Sequence, residues 1–153
     1  GHKFKETFRR GQEIIELDKN YPTGYMQIAV ALWGMKRFDE ALPHFRKFNE
    51  LIPDSILPVY LLCFGLVKAG EIEEARQVLE KLKNESQTNY VKPYFLAMAY
   101  TALGNFDEAV PLFQQSIDED CPWMMWFATE PMLADFRKDS RFQELFAQMK
   151  HPK

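Results

Sequence analysis

A five-residue motif recurs at a spacing of 34 residues, and this repetition constrains the fold more than any other feature of the chain. The copies occupy residues 38–42, 72–76 and 106–110, and each has acidic residues at its second and third positions, followed by alanine. Two further positions keep this spacing: a small residue at Ala29, Cys63 and Ala97, and a large apolar residue at Phe45, Leu79 and Phe113. Repeats of this length are units that bury their apolar faces by stacking on their neighbours. The chain is therefore expected to fold as a row of similar units.

Each unit is expected to contain two helices. In the first unit Ile28, Ala29 and Leu32 form an apolar stripe with helical period, and the small residue lets the second helix approach closely. Asp39 and Asp107 are predicted to cap the second helices, since a side-chain oxygen there can accept from free backbone N–H groups. Pro43 and Pro111 are predicted to lie in the first turn, and Pro53 is predicted to end the second helix of the first unit.

These spacings resemble those of the tetratricopeptide repeat family, with units at residues 22–55, 56–89 and 90–121. The resemblance implies an all-α fold, a right-handed superhelix of three helix-turn-helix repeats, forming a single domain over residues 1–153. Residues 3–21 are predicted to be a lone leading helix, and residues 122–153 a helical C-terminal cap. Ser140 and Gln143 suggest a capping box at the start of the last helix.

The two ends of the chain suggest a longer protein. The leading helix lacks the partner that normally precedes it, so an upstream domain of the same chain is expected. The C-terminal segment, from Pro122 onward, resembles the tail that follows repeats in bacterial regulatory and signalling proteins.

Composition and motifs disfavour several classes of function. The 19 Lys and Arg against 22 Asp and Glu give a net charge of −3, so the clustered basic charge that nucleic-acid binding requires is missing. No stretch approaches the roughly 20 apolar residues of a membrane span, and a cytoplasmic, soluble protein is expected. The sequence contains no catalytic motif, metal-ligand spacing or cofactor signature, which predicts a protein that is not an enzyme and has no metal or cofactor. His44 is interpreted as a surface residue and Cys63 as a buried packing thiol.

The resemblance also implies a site. In this family the first helix of each repeat lines a concave face with its second, fifth, ninth and twelfth residues. The side chains predicted to line a peptide-binding groove here are apolar or aromatic, except for one threonine: Met26, Val30, Trp33, Tyr60, Phe64, Val67, Tyr94, Met98 and Thr101. Aromatic and Met side chains provide large and adaptable contact areas for an apolar partner. The substitution Phe64→Asp is expected to abolish binding and leave the helices intact.

Two hypotheses follow for the function. The first is a non-catalytic scaffold that binds a protein, as a peptide or helix, in the groove. The alternative is a structural or dimerisation spacer at the C-terminus of a larger regulatory protein, with the groove filled intramolecularly by residues 123–127 or with the chain forming a homodimer.

Overall fold

The computed structural model describes residues 1–150, which form eight α-helices and three short 3₁₀ turns with no β-strand within that range. The α-helices are α1 (His2–Leu17), α2 (Pro22–Gly34), α3 (Phe38–Leu51), α4 (Leu57–Lys68), α5 (Ile72–Thr88), α6 (Pro93–Ala102), α7 (Phe106–Asp118) and α8 (Ser140–Lys150). The 3₁₀ turns are Pro122–Trp126, Pro131–Leu133 and Phe136–Lys138. The predicted all-α fold is confirmed, and α2 packs on α3 and α6 packs on α7.

The helices are organised in two compact units. Unit 1 comprises Gly1–Ala75, and unit 2 begins at Arg76, so the boundary falls inside α5. In unit 1, α1 packs on α2, α2 on α3, and α3 on α4. Its core contains Leu32, Phe45 and Leu66, each 2% exposed or less.

Two glycines allow α1 and α2 to approach closely. A Cβ atom added at Gly11 would lie 2.9 Å from the carbonyl oxygen of Gly24, and one added at Gly24 would lie 3.1 Å from the carbonyl oxygen of Gly11. The two backbones therefore meet where any larger side chain would force them apart. This contact fixes the leading helix against the first repeat.

The first helix of each pair ends in the same way. The residues Lys36, Gly70 and Gly104 have positive φ angles of 59°, 87° and 75° and are spaced exactly one repeat apart. At the first of these turns, the N–H of Lys36 donates to the oxygen of Trp33, and the N–H of Arg37 donates to that of Leu32. This pattern is a Schellman motif, in which a left-handed residue satisfies the last carbonyl groups of a helix.

The predictions for the starts of α3 and α7 were wrong in detail. These helices begin at Phe38 and Phe106, so Asp39 and Asp107 lie inside the first turn and cap no backbone N–H group through their side chains. Their charge still suits the positive end of the helix dipole. Pro43 and Pro111 lie one turn further in than predicted, inside the helices. Both prolines are exposed, where the loss of one intrahelical hydrogen bond is tolerated most easily.

In unit 2 the C-terminal segment covers α7 with aromatic side chains. The Phe113 ring lies 5.0 Å from that of Phe127 and 5.7 Å from that of Phe136. Phe142 of α8 stacks on Phe127 at 4.5 Å. Much of the segment predicted as a helical cap consists of 3₁₀ turns, with one α-helix, α8, at its end. Residues 151–153 of the predicted cap lie outside the described residues.

The predicted capping box of α8 was also wrong. Ser140 is the first helical residue, and the carboxylate of Asp139 accepts from the N–H of Arg141 at 3.0 Å. The Arg141 guanidinium also donates to Asp139 at 2.9 Å and to Asp107 of α7 at 2.5 Å. Hydrogen bonding to Arg141 lowers the pKa of Asp139 to about 2. Arg141 thus ties the start of α8 to the start of α7.

Candidate protein-binding surface

The predicted groove residues of unit 1 lie on α2 and α4, and we call this set the α2–α4 face: Met26, Val30, Trp33, Tyr60, Phe64 and Val67. Three residues on α2, Met26, Val30 and Trp33, follow one another at i, i+4 and i+7, which places them on one side of the helix. The edge-to-face contact between Trp33 and Phe64, with ring centroids 5.8 Å apart, joins α2 to α4.

The α2–α4 face has a buried aromatic floor. Trp33 is 7% exposed and Phe64 is 4% exposed, and Tyr60 is buried as well. Trp33 makes further edge-to-face contacts with Phe38 at 5.0 Å and Phe45 at 6.5 Å. Such contacts hold each ring in one orientation. The floor is consequently rigid.

Half-exposed aliphatic side chains and one exposed cation complete this face. Met26, Val30 and Val67 are partly accessible to solvent. The Lys68 ammonium lies 6.0 Å from the Trp33 ring centroid and 5.4 Å from that of Phe38, which is cation–π geometry. The side chains that an incoming segment could touch are thus the three aliphatic ones, with a positive charge at the edge of the aromatic floor.

One polar atom on α2 is buried without a partner. The side-chain oxygen of Gln27 has no hydrogen bond among the described residues. Gln27 is the immediate neighbour of Met26 and lies three residues before Val30. A buried acceptor without a donor destabilises the folded state by about 1–3 kcal/mol.

The predicted groove residues of unit 2 are buried. Tyr94 is 1% exposed, and Met98 and Thr101 are buried with it. The Trp123 ring stacks on Tyr94 at 6.3 Å and meets Phe95 edge-on at 5.2 Å. Thr101 donates its hydroxyl to the carbonyl oxygen of Ala97 at 2.8 Å. In unit 2, therefore, a side chain of the C-terminal segment packs on a residue that the sequence assigned to the groove.

Burial affects the groups that sequence inspection considered for chemistry. It raises the pKa of the Cys63 thiol to about 12, so this thiol stays protonated and unreactive. It also lowers the pKa of His44, which lies partly exposed at the surface with its ring 6.3 Å from that of Tyr25. The described residues contain no group of three or more His, Cys, Asp or Glu that could hold a metal ion. No helix within residues 1–150 is both long and apolar enough to cross a membrane.

Sequence reasoning missed two exposed features, one in each unit. The position of Lys68 over Trp33 depends on side-chain geometry and has no sequence signal. The exposure of Met125 and Trp126 was also missed, although both lie in the segment expected to fold back. A signal existed in this case, because a 3₁₀ turn repeats every three residues and Met124 and Phe127 mark its apolar side.

The helix pairs, their 34-residue period and the recurring Schellman ends define a helical repeat protein. Sequence profiles of the tetratricopeptide repeat match residues 32–92 and 94–122. The chain belongs to the tetratricopeptide repeat family. Proteins of this family bind other proteins, and membership supports a role as a protein-interaction scaffold.

Two solved structures share this fold. One is described as the MamA RS-1 ArsTM double mutant, with 22% identity and a TM-score of 0.51, covering 95% of this chain and 86% of that one. The other is MamA 41-end from Desulfovibrio magneticus RS-1, with 21% identity and a TM-score of 0.51, covering 96% of this chain and 84% of that one. At this identity the likeness concerns the fold alone. No curated protein sequence matches the chain.

Proposed function

We propose that this chain is a non-catalytic scaffold that binds an apolar helix or peptide of a partner protein on the α2–α4 face. The observation that carries this proposal is the arrangement of half-exposed Met26, Val30 and Val67 beside a rigid aromatic floor. Aliphatic and Met side chains at helical spacing suit a partner that presents its own apolar stripe.

Unit 1 is preferred over unit 2 because its lining remains accessible. Tyr94, Met98 and Thr101 are already buried, and Trp123 occupies one side of Tyr94. Docking at these residues would first require their own chain to move away.

The experiment is a selection from a phage-displayed library of random peptides against the purified chain. The test variant is the double substitution Met26→Glu and Val67→Glu, and the matched control is Leu17→Glu, because Leu17 is 88% exposed and lies outside the face. We expect selected peptides to carry apolar residues at helical spacing. We expect the double variant to bind them about tenfold more weakly or worse, since a carboxylate would face an apolar partner. The control should bind them normally.

Selected peptides that bind the double variant as well as the parent chain would refute the proposal, as would a selection that enriches nothing. Phe64 is unsuitable for this test. It is 4% exposed and packs on Trp33, so an aspartate there would bury an unpaired charge and unfold unit 1. We therefore expect Phe64→Asp to lose helical structure as well as binding, in contrast to the prediction from sequence that the helices stay intact.

The burial of Tyr94 and Met98 favours a second candidate function, a structural or dimerisation spacer within a larger regulatory protein. In this case the partner-binding lining is filled by the chain itself. Light scattering over a range of concentrations separates the two. A mass that doubles with concentration supports the spacer, and a constant monomer mass together with peptide selection supports the scaffold.

A further inference from the structure

The 3₁₀ turn Pro122–Trp126 exposes apolar side chains that no part of its own unit covers fully. Residues three apart share one side of such a turn. Met124 and Phe127 occupy the buried side. Pro122 and Met125 point to solvent on another side, and Met125 is 69% exposed. Trp126, on the third side, is 50% exposed. We call Pro122, Met125 and Trp126 the Trp126 turn.

A second exposed aromatic residue, Tyr90, contacts the segment that precedes this turn. Tyr90 is 74% exposed, and its hydroxyl donates to the carboxylate of Glu119 at 3.4 Å. Glu119 precedes the Trp126 turn by only two residues, Asp120 and Cys121. Exposed aromatic and Met side chains that gather in one region are typical of protein interaction sites.

The chain around the Trp126 turn is strongly acidic. Residues 93–136 contain no Lys, Arg or His and seven acidic residues, namely Asp107, Glu108, Asp118, Glu119, Asp120, Glu130 and Asp135. Asp107 pairs with Arg141 and Asp135 with Lys138, so the acidic charge that matters next to the turn is that of Asp118, Glu119 and Asp120. The whole chain has a charge of −3, so the remaining residues carry −3 − (−7), or +4. The nearest following cation, Arg137, is engaged through hydrogen bonds to the backbone oxygens of Ala128 and Glu130 at 3.2 Å and 2.9 Å.

We propose that the Trp126 turn is a docking site for a basic amphipathic segment of a partner protein. The apolar residues of that segment would cover Met125 and Trp126, and its Lys or Arg side chains would face Asp118, Glu119 and Asp120. Complementary charge speeds association and rejects acidic competitors. A Lys or Arg can also lie over the exposed face of an indole ring, a contact that an acidic partner cannot make. This surface belongs to unit 2 and does not depend on the proposed α2–α4 face.

The probe is a synthetic helical peptide with Leu on one side and Lys on the other, compared with a peptide in which Glu replaces every Lys. Binding of each labelled peptide is followed by fluorescence anisotropy. Both peptides are tested on the Met26→Glu, Val67→Glu chain, in which the α2–α4 face no longer suits an apolar partner. On that chain we expect the Lys peptide to bind and the Glu peptide not to bind. The affinity for the Lys peptide should fall as salt is added, since exposed charges are screened within about 10 Å at 0.1 M salt.

The decisive variant is Trp126→Ala, with Tyr21→Ala as its matched control because Tyr21 is 52% exposed and lies in unit 1. Trp126→Ala should weaken binding of the Lys peptide about tenfold or more, the effect expected of an aromatic anchor. Tyr21→Ala should have no effect. Both side chains are at least half exposed, so the circular dichroism spectra and melting temperatures of both variants should match the parent chain.

A second pair of variants tests the charge. Asp118→Asn, Glu119→Gln and Asp120→Asn together should weaken binding about tenfold and flatten its salt dependence, whereas Glu13→Gln, Glu16→Gln and Asp18→Asn in unit 1 should not. Equal weakening by both triple variants, binding of the Glu peptide, or full affinity of Trp126→Ala would overturn the proposal. Self-association of the free chain that Trp126→Ala abolishes would also overturn it, since the occupant would then be a second copy. The variant Met26→Glu, Val67→Glu should bind the Lys peptide normally, which separates this site from the α2–α4 face.

Discussion

Lys36 occupies a backbone position that glycine fills in the other two repeats. Its replacement tests whether the turn at this position requires a left-handed backbone conformation. Its φ angle is 59°, close to the left-handed values of Gly70 and Gly104. In ordinary helical positions alanine is more favourable than glycine by about 1 kcal/mol. At position 36 we predict the reverse order, with Lys36→Gly more stable than Lys36→Ala.

The expected difference in the free energy of unfolding between the two variants follows from two opposing effects. A side chain in the left-handed region costs roughly 1–2 kcal/mol, and the glycine substitution removes this cost. Glycine loses more backbone entropy on folding, about 0.5–1 kcal/mol relative to alanine. The free energy of unfolding should therefore be higher for Lys36→Gly than for Lys36→Ala by roughly 0.5–1 kcal/mol. Both variants remove the same charge, so the difference between them contains no electrostatic part.

Gly70→Ala provides the reciprocal experiment. A Cβ atom added there would meet nothing within 4 Å, so only backbone strain can destabilise the variant. We expect its free energy of unfolding to fall by a similar amount, measured by urea denaturation followed by circular dichroism. If Lys36→Ala proved as stable as Lys36→Gly, or if Gly70→Ala left the free energy of unfolding unchanged, the turn would not require the left-handed conformation.

Three further predictions concern packing, a buried polar group and pH. Gly11→Ala should lower the free energy of unfolding by about 2 kcal/mol or more, because its Cβ would press on the Gly24 carbonyl oxygen at 2.9 Å; a neutral result in urea denaturation would contradict the close crossing. Gln27→Met should raise the free energy of unfolding by about 1 kcal/mol, because it removes a buried acceptor without a partner; a loss of stability would show that this oxygen is satisfied. Hydrogen bonding to Arg141 lowers the pKa of Asp139 to about 2, below its ordinary value of 3.8. Its contribution to the stability of the folded chain is therefore complete above about pH 4 and is lost as the pH falls toward 2. Melting temperatures across that range should fall more steeply for the parent chain than for Asp139→Asn, and parallel curves would contradict the assignment.

The sequence predicted the fold well because the repeat period is encoded many times. Ala29, Cys63 and Ala97 all fill small-residue positions, and all are completely buried. The end of α3 at Leu51, just before Pro53, also follows from local chemistry. Errors of one turn arose at Pro43 and Pro111, because an exposed proline is compatible with either the first or the second turn of a helix.

The candidate site was less predictable. Helical spacing identified which residues of α2 and α4 share one side, but it could not determine how deeply each is buried. Trp33 and Phe64 bury each other through a contact between helices, and Tyr94 meets Trp123 from a segment outside the repeats. Burial of this kind depends on tertiary packing, which no local pattern records. The predicted capping box between Ser140 and Gln143 failed for a similar reason. Asp139 caps α8 instead by accepting from the Arg141 N–H, and the Arg141 side chain is also held by Asp107 of α7.

Methyl NMR of the chain, titrated with a phage-selected peptide, shows whether a partner segment binds the half-exposed aliphatic side chains of the α2–α4 face. We predict that the methyl signals of Met26, Val30 and Val67 shift, while those of Leu42 and Val110 on second helices stay unchanged. Shifts confined to Leu42 and Val110, with Met26, Val30 and Val67 unaffected, would contradict it.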